Sequence, residues 1–464
     1  MPDPALPRSV TVAGGQGFYG DTPAAVDALL ADGVDYLCLE ALAELTLAIL
    51  QKDRQRDEAR GYTRDLPAYL TKALPFVVAG RTKVVTNAGG INPAAAARAA
   101  IETARALGIS GVTVATVFGD DLLGHVDDLH AGGERFDHLD TGAAYETLPA
   151  PPLLASAYLG ARGIADALAQ GADIVITGRV ADASLFLGPL AHEHGWHWDD
   201  WDRMAAGILV GHLLECSGQS LGGNYSGDWW AIPHPWDLPY PIAHVEADGT
   251  AVITKPAGSG GRVTTDTLRH QLLYEVHDPA RYVAPEVVAD FTSAQFEDLP
   301  DDRVRITGVR GTPATDTYKL LVAYHAGWSG EARVAFSWPD AHAKAKATAA
   351  ILVKRVEMAG LPVDEWHVEY WGVNALGGPT VPVDDACEPP ECVLRVAWRC
   401  SDQRTAALVG RELTPLTLSA PPAGMTGSGR GGGSSATELL GIWPSLVRKD
   451  NVDPNVRVVL EEVT

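Results

Sequence analysis

Five short apolar runs in the first 190 residues constrain the fold of this chain more than any other feature. They lie at 9–13, 36–39, 83–86, 111–115 and 173–177, short and centred on Val, Ile, Leu and Ala, with their polar residues mostly small threonines or at the ends. A strand reads that way when both its faces are covered, which is the condition of a parallel sheet held between two layers of helices. Helical stretches fill the gaps. One opens at Thr22-Pro23, a second is predicted over 92–107 and a third over 155–170. Strands alternating with helices make an α/β fold, and ligands of such sheets bind outside the carboxyl ends of the strands.

The pattern changes after this. Residues 191–240 are rich in tryptophan and histidine, predicted helical to Cys216 and irregular over 218–230. Ala247-Asp248-Gly249-Thr250 predicts a hairpin turn. Beyond residue 300, strands at 304–309, 320–324 and 332–337 precede a helix over 340–358. A strand at 367–372, another at 392–398, a helix from Asp402 and the run Leu416-Thr417-Leu418 complete the layer. Strands clustered before one helix point to an α+β, ferredoxin-like unit. The expected architecture is therefore α/β: a parallel-sheet, Rossmann-like N-terminal domain (1–295) that binds substrate and catalyses, and a smaller ferredoxin-like α+β domain (296–464). The glycine/serine-rich stretch 427–435 reads as a linker or as a mobile loop over a site.

Charge narrows the partners. Lys and Arg total 36 against 59 Asp and Glu, a formal net charge of -23. Such a surface repels a phosphate backbone, which argues against nucleic acid and anionic membranes and for a small-molecule substrate. No run of apolar residues is long enough for a membrane span. The start, Met1-Pro2-Asp3-Pro4, lacks the basic and apolar regions of a signal peptide. Five scattered cysteines in so long a chain suggest reduced thiols and a cytoplasmic location. A homo-oligomer is expected, since the second domain offers a sheet that can pair.

Chemistry-bearing residues gather at the predicted strand ends. Gly15-x-Gly17-x-x-Gly20 follows the first strand, with Glu40 ending the second. Taken literally this is a dinucleotide fingerprint. The helix, however, opens only at Thr22-Pro23, past all three glycines, which favours a substrate loop. Glu40 and Glu44 are four apart and predicted to share a helical turn among apolar neighbours, a pair able to supply an acid and a base. Asn87, Gly89, Gly90 and Asn92 follow the third strand; Asn92 before Pro93 is also a natural helix cap. Gly119-Asp120-Asp121 follows the fourth, placing Asp120 as a base, a cation ligand or a cap. Thr177, Arg179 and Asp182 follow the fifth, where Arg179 either grips an anion or pairs with Asp182. His212 and Cys216 are four apart, the spacing of an activated thiol on one helical face, although cysteine is more often buried and inert. His192-Glu193-His194 with His197 lacks the further ligand pattern of a metal site, and no metal is assigned. Lys255 and Arg262 flank a glycine-rich turn before a capped helix, a candidate anion cradle or an ordinary turn.

Taken together these segments resemble the acyclic terpene utilisation protein AtuA family. The resemblance is carried by Gly17-Phe18-Tyr19-Gly20-Asp21, Asp35-Tyr36 through Leu42-Ala43-Glu44, Lys83 through Pro93 and Gly119-Asp120-Asp121. It continues in Ile176-Thr177-Gly178-Arg179-Val180-Ala181-Asp182, Glu215-Cys216 through Gly222-Gly223, and Lys255 through Gln271. It runs nearly end to end, with two departures: Glu40 stands where an Asp is expected, and the 427–435 stretch looks expanded. The resemblance implies a pathway for branched, isoprenoid-like acids or their acyl-CoA thioesters, and no settled catalytic residues. The leading expectation is a lyase of the hydratase type, with Glu40, Glu44 or Asp120 as base. Asn87, the glycine amides or Arg179 would be the oxyanion partner, and Lys255 and Arg262 would sit on coenzyme A phosphates. No tightly bound cofactor is expected, coenzyme A arriving as part of the substrate. The alternatives are acyl transfer or thioester hydrolysis by Cys216 with His212, an NAD(P)-dependent oxidoreductase, and a non-catalytic partner subunit of an acyl-CoA carboxylase or hydratase.

Overall fold

The five apolar runs become the parallel core of one large sheet. In the computed structural model, which describes residues 9–383, 388–422, 425–427 and 436–464, they are β1 (Val10–Gln16), β2 (Tyr36–Leu39), β3 (Lys83–Thr86), β4 (Thr113–Phe118) and β5 (Ile174–Thr177). They pair in the order β1-β2-β3-β5-β4, all parallel. Successive side chains point to opposite faces, and both faces are covered. Leu37 and Leu39 join a core with the Val26–Asp32, Leu66–Val78 and Pro93–Ala106 helices. Tyr36 and Cys38 face the Ser184–His194 helix, where the Tyr36 hydroxyl donates to Glu193 (2.7 Å) and the Cys38 thiol to the Leu185 carbonyl (3.5 Å). Leu37, Leu39, Val84, Ile174 and Ile176 are fully buried. Each side chain of this kind contributes about 1.5–3 kcal/mol.

The sheet is mixed, which corrects the expectation of a purely parallel one. β6 (Ile242–Val245), β7 (Ala251–Thr254), β8 (Gln295–Leu299), β9 (Arg303–Thr307) and β10 (Arg457–Glu462) extend it antiparallel, in the order β8-β9-β7-β6-β1-β2-β3-β5-β4-β10. The predicted hairpin turn joins β6 to β7, with Gly249 at φ 91°. The helix predicted over 155–170 shrinks to Arg162–Ala169, and Pro152–Ala157 before it is a strand paired with Thr317–Ser337. Gly160, between that strand and the helix, lies where a Cβ would strike Glu286 Oε1 at 2.5 Å.

The chain divides into two compact units, Met1–Thr147 with Leu153–Val322 and Trp443–Thr464, and Leu148–Pro152 with Ala323–Ile442. The division expected at 295/296 moves to Val322, because β8, β9 and β10 all belong to the large sheet. The strands read at 320–324 and 332–337 are one strand, Thr317–Ser337. In the second unit it lies between Glu391–Cys400 and Met425–Gly427, with Glu365–Trp371 beyond, all antiparallel. The Ala341–Met358 and Gln403–Arg411 helices complete a core around Phe336, Leu352, Leu394, Trp398 and Val409. The Leu416 run is a short helix, Leu416–Ser419, not part of the sheet. Residues 428–435 of the glycine/serine-rich stretch and Cys387 lie outside the described residues. Among the described residues no helix is long and apolar enough to cross a membrane.

Candidate functional site

The carboxyl ends of β1, β2 and β5 open on a cavity of about 910 Å³, lined wholly by the first unit. Glu40 and Arg179, each just past a strand end, line it, and Asn87 lies buried behind them. Glu40, after β2, is 5% exposed. Asn87, after β3, clamps the loop that carries it: its Oδ1 accepts from the Ala41 amide (2.7 Å) and its Nδ2 donates to Glu40 Oε1 (2.9 Å). The Leu42 amide donates to the same oxygen at 2.7 Å. Arg179, after β5, is 2% exposed. Its Nη1 donates to the Leu42 carbonyl (2.5 Å) and lies 3.0 Å from Asp182 Oδ1 and 3.8 Å from Glu40 Oε1. Its guanidinium stacks 4.0 Å over the Tyr158 ring. One buried cation thus faces two carboxyls.

The charges settle unevenly. Burial drives the Glu40 carboxyl well above the usual range, Asp182 adds to this, and Arg179 opposes it. Asp182 is raised in the same way, by burial, with Arg179 pulling down. Glu44 goes the other way. Burial would raise it, but the hydrogen bond (2.8 Å) and charge of Lys319 hold it down to about 2. Tyr158 also donates to Glu44, at 2.9 Å. The carboxyls of this one cavity are thus pushed apart in acidity, the arrangement that acid–base chemistry requires. Glu40 and Glu44 do not share a helical turn as their spacing suggests. Glu40 belongs to the loop after β2, and the helix begins only at Glu44 (Glu44–Arg56), so the two are separated in role as well as in surroundings.

Spacing pairs His212 with Cys216; the structure pairs it with Glu215. The Trp201–Leu214 helix ends before Cys216, and His212 Nδ1 lies 2.9 Å from Glu215 Oε1 while Nε2 lies 3.2 Å from the Leu272 carbonyl. Both ring nitrogens are thereby taken, and Cys216 has no base. Burial, with the Glu215 charge, pushes its thiol far up. Cys216 is therefore expected to react with iodoacetamide no faster at pH 7.5 than an ordinary free cysteine, since the thiolate is the nucleophile. Preferential labelling of Cys216 in peptide mapping would restore the thiol reading. Glu215, Tyr158 and Lys319 all line the cavity and escape sequence reasoning. Only the Glu215-Cys216 dipeptide stood out, and there the cysteine drew the attention.

Several candidates lie elsewhere or do other work. The Gly17 amide donates to Asp21 (3.1 Å) and the Gly20 amide to Asp65 (2.9 Å), so the loop that would hold a pyrophosphate is filled by the chain's own carboxylates. Gly15 is needed for packing, since a Cβ there would meet Leu37 and Leu39 at 2.6 and 2.8 Å. Gly17, which lines the cavity, passes so close to Ser217 that a Cβ would lie 2.4 Å from its Oγ. Gly89 and Gly90 pack against the Thr177 carbonyl and Leu50. Asn92 caps the Pro93–Ala106 helix and donates to the Glu58 and Arg60 carbonyls, and Thr177 is buried against Gly178. Asp120 lines a second cavity of about 570 Å³. It accepts from the Arg179 amide (2.9 Å) and Ser156 (3.2 Å), and burial raises it to about 6. It therefore positions the Arg179 backbone. Lys255 is held by Asp302 (3.2 Å) and the Ser259 carbonyl, and Arg262 by Asp228. The capped helix after them is Thr265–Leu272. Neither cation lines the large cavity, and the anion cradle is not formed. Among the described residues no group of three or more His, Cys, Asp or Glu is placed to hold a metal; Glu193 accepts from Tyr36 and His197 pairs with Asp199.

The site therefore rests on Glu40, Arg179, Asp182, Glu44 and the His212–Glu215 pair. No curated protein and no solved structure matches the chain. A family model does: the one described as acyclic terpene utilisation family protein AtuA matches residues 10–458, and the chain belongs to that family.

Proposed function

We propose that the first unit is an acid–base enzyme that hydrates or dehydrates a branched, isoprenoid-like acid carried as a thioester such as acyl-CoA. The observation that supports it best is the buried Glu40 carboxyl, which burial drives well above the usual range, beside a stacked Arg179 in a cavity at the strand ends. Moving water across a double bond next to a carbonyl needs a proton carrier at the α-carbon and a donor for the enolate oxygen. Glu40 serves as the first and Arg179 as the second. Family membership supplies the substrate context, acyclic terpene utilisation. Lys255 and Arg262 are spent on the chain's own acids, so the reading rests on the acyl end of the substrate and not on a phosphate cradle. The parallel core supports a Rossmann-like description of the first unit, and the strand order of the second supports a ferredoxin-like one.

The test is thermal unfolding of the EDTA-treated protein with coenzyme A, branched acyl-CoAs, branched free acids and NAD(P)(H). A ligand at 100 times its Kd stabilises by about 2.7 kcal/mol, a readily measured shift. Branched acyl-CoAs or acids are expected to shift the midpoint and the dinucleotides to leave it unmoved, because Asp21 and Asp65 occupy the loop amides. A shift with NAD(P)(H) alone would replace the lyase reading with an oxidoreductase.

A further inference from the structure

We propose that Glu215, positioned by His212, is the group that activates water in this cavity, so that the substrate is an α,β-unsaturated acyl thioester and the product its 3-hydroxyacyl counterpart. The inference rests on the acid–base reading of Glu40 above. It is carried by an unmet atom. Glu215 lines the same cavity as Glu40 and Arg179, its side chain is 10% exposed, and its Oε2 is buried without a hydrogen-bond partner. A buried carboxylate oxygen left unpaired is costly, which fits an atom kept for a ligand.

The other oxygen is fully engaged. A carbonyl only accepts, so the His212 Nε2 beside the Leu272 carbonyl carries a hydrogen, and the 2.9 Å contact from Nδ1 to Glu215 Oε1 holds one further proton. The imidazole is locked between rings, stacked on Phe291 with centroids 5.8 Å apart and tilted on Tyr282 at 5.4 Å. Oε2 is then the atom of the pair through which a proton can pass to or from a ligand. Asp182, Glu40, Glu275, Cys216 and Tyr282 share the cavity lining with it. Burial pushes Glu215 up to about 7 against the pull of His212, with Asp182 and Glu275 adding to the rise, which places it where an acid–base group works best near neutrality. Arg179 supplies the complementary donor, since its Nε is also buried without a partner.

A protonated Glu40 and an ionisable Glu215 are the starting arrangement for hydration. Water attacks the β-carbon, the new C–O bond forms, and the proton it sheds goes to Glu215 Oε2. The π electrons of the double bond move into an enolate whose oxygen Arg179 holds, and the α-carbon then takes the proton of Glu40. Glu40 ends as a carboxylate beside Arg179 and Glu215 ends protonated. One proton released to solvent from Glu215 and one taken up by Glu40 reset the site.

Two reactions of the full-length protein separate the roles. Isovaleryl-CoA in D₂O reports α-hydrogen exchange, which begins from the carboxylate form of Glu40; 3-methylbut-2-enoyl-CoA reports hydration, which begins from its protonated form and needs both groups. Wild type is expected to do both. Glu215→Gln, nearly isosteric, is expected to lose hydration by about 10²-fold or more while α-exchange remains measurable. His212→Gln should keep hydrating but with the acid limb of its kcat profile moved to higher pH, because the imidazolium that favours the carboxylate is gone; a merely structural histidine would leave that limb in place. Hydration by Glu215→Gln within about threefold of wild type, or wild-type exchange without hydration, overturns this inference and leaves the Glu40 reading standing. Neither reaction in wild type overturns both.

Discussion

Glu40→Gln is expected to lower turnover by about 10²–10⁴-fold, the usual contribution of a positioned proton carrier, while the protein folds as before. The geometry explains why the two effects separate. Oε1 of Glu40 only accepts, from the Leu42 amide and Asn87, and a glutamine carbonyl can accept the same bonds. What the substitution removes is a proton, not a contact. The sign on stability follows from linkage. The folded state holds the Glu40 proton more tightly than an unfolded chain with the ordinary value of 4.5. Glu40 therefore costs nothing at low pH, where it is protonated in both states, and its cost sets in as pH rises from 4.5 towards the folded value. Glu40→Gln should unfold at the same urea concentration as wild type at pH 4 and at the same or a higher one at pH 8. A variant that retains full activity removes Glu40 from the mechanism. One that unfolds more easily at pH 8 would mean that the carboxylate, not the acid, is the native form.

The contrast between Glu40 and Glu215 shows which parts of this site the sequence carries on its face. Glu40 was legible because it ends an apolar strand: once the run 36–39 is read as buried on both sides, the next residue must emerge at the ligand end of the sheet. The same logic reached Asn87, Arg179 and Asp182, each just past a parallel strand. It could not assign their work. Asn87 reads as a ligand contact and is a clamp on the Glu40 loop, a fact that depends on the neighbouring strand. Lys255 and Arg262 read as a cradle because their partners, Asp302 and Asp228, are 47 and 34 residues away in the chain. Glu215 escaped because it follows a helix, where no periodic rule marks a site, and because nearby Cys216 offered a more familiar chemistry. The antiparallel strands around the parallel core were likewise hidden: β10 lies more than three hundred residues from β4, with which it pairs.

Arg179→Met should be the most damaging single change to stability in the site. The methionine fills part of the volume, but Glu40 and Asp182 lose the cation 3.8 and 3.0 Å away, and the Leu42 carbonyl loses its donor. Breaking a buried ion pair by removing one partner costs about 3–5 kcal/mol, because the remaining charge is left uncompensated. The loss has a pH signature that simple cavity formation lacks. Without Arg179 the folded values of Glu40 and Asp182 rise further, so the folded state must either keep their protons or bury bare charge. The penalty should be smallest towards about pH 3, where both carboxyls are protonated folded or unfolded, and should grow as pH rises. Glu40→Gln placed in the Arg179→Met background should then recover part of the loss at pH 8 and little at pH 4. Urea unfolding of the four proteins at both pH values measures this directly. Equal destabilisation at the two pH values, with no recovery from Glu40→Gln, would show that Arg179 acts through packing on Tyr158 alone, and that no shared charge holds the floor of the cavity.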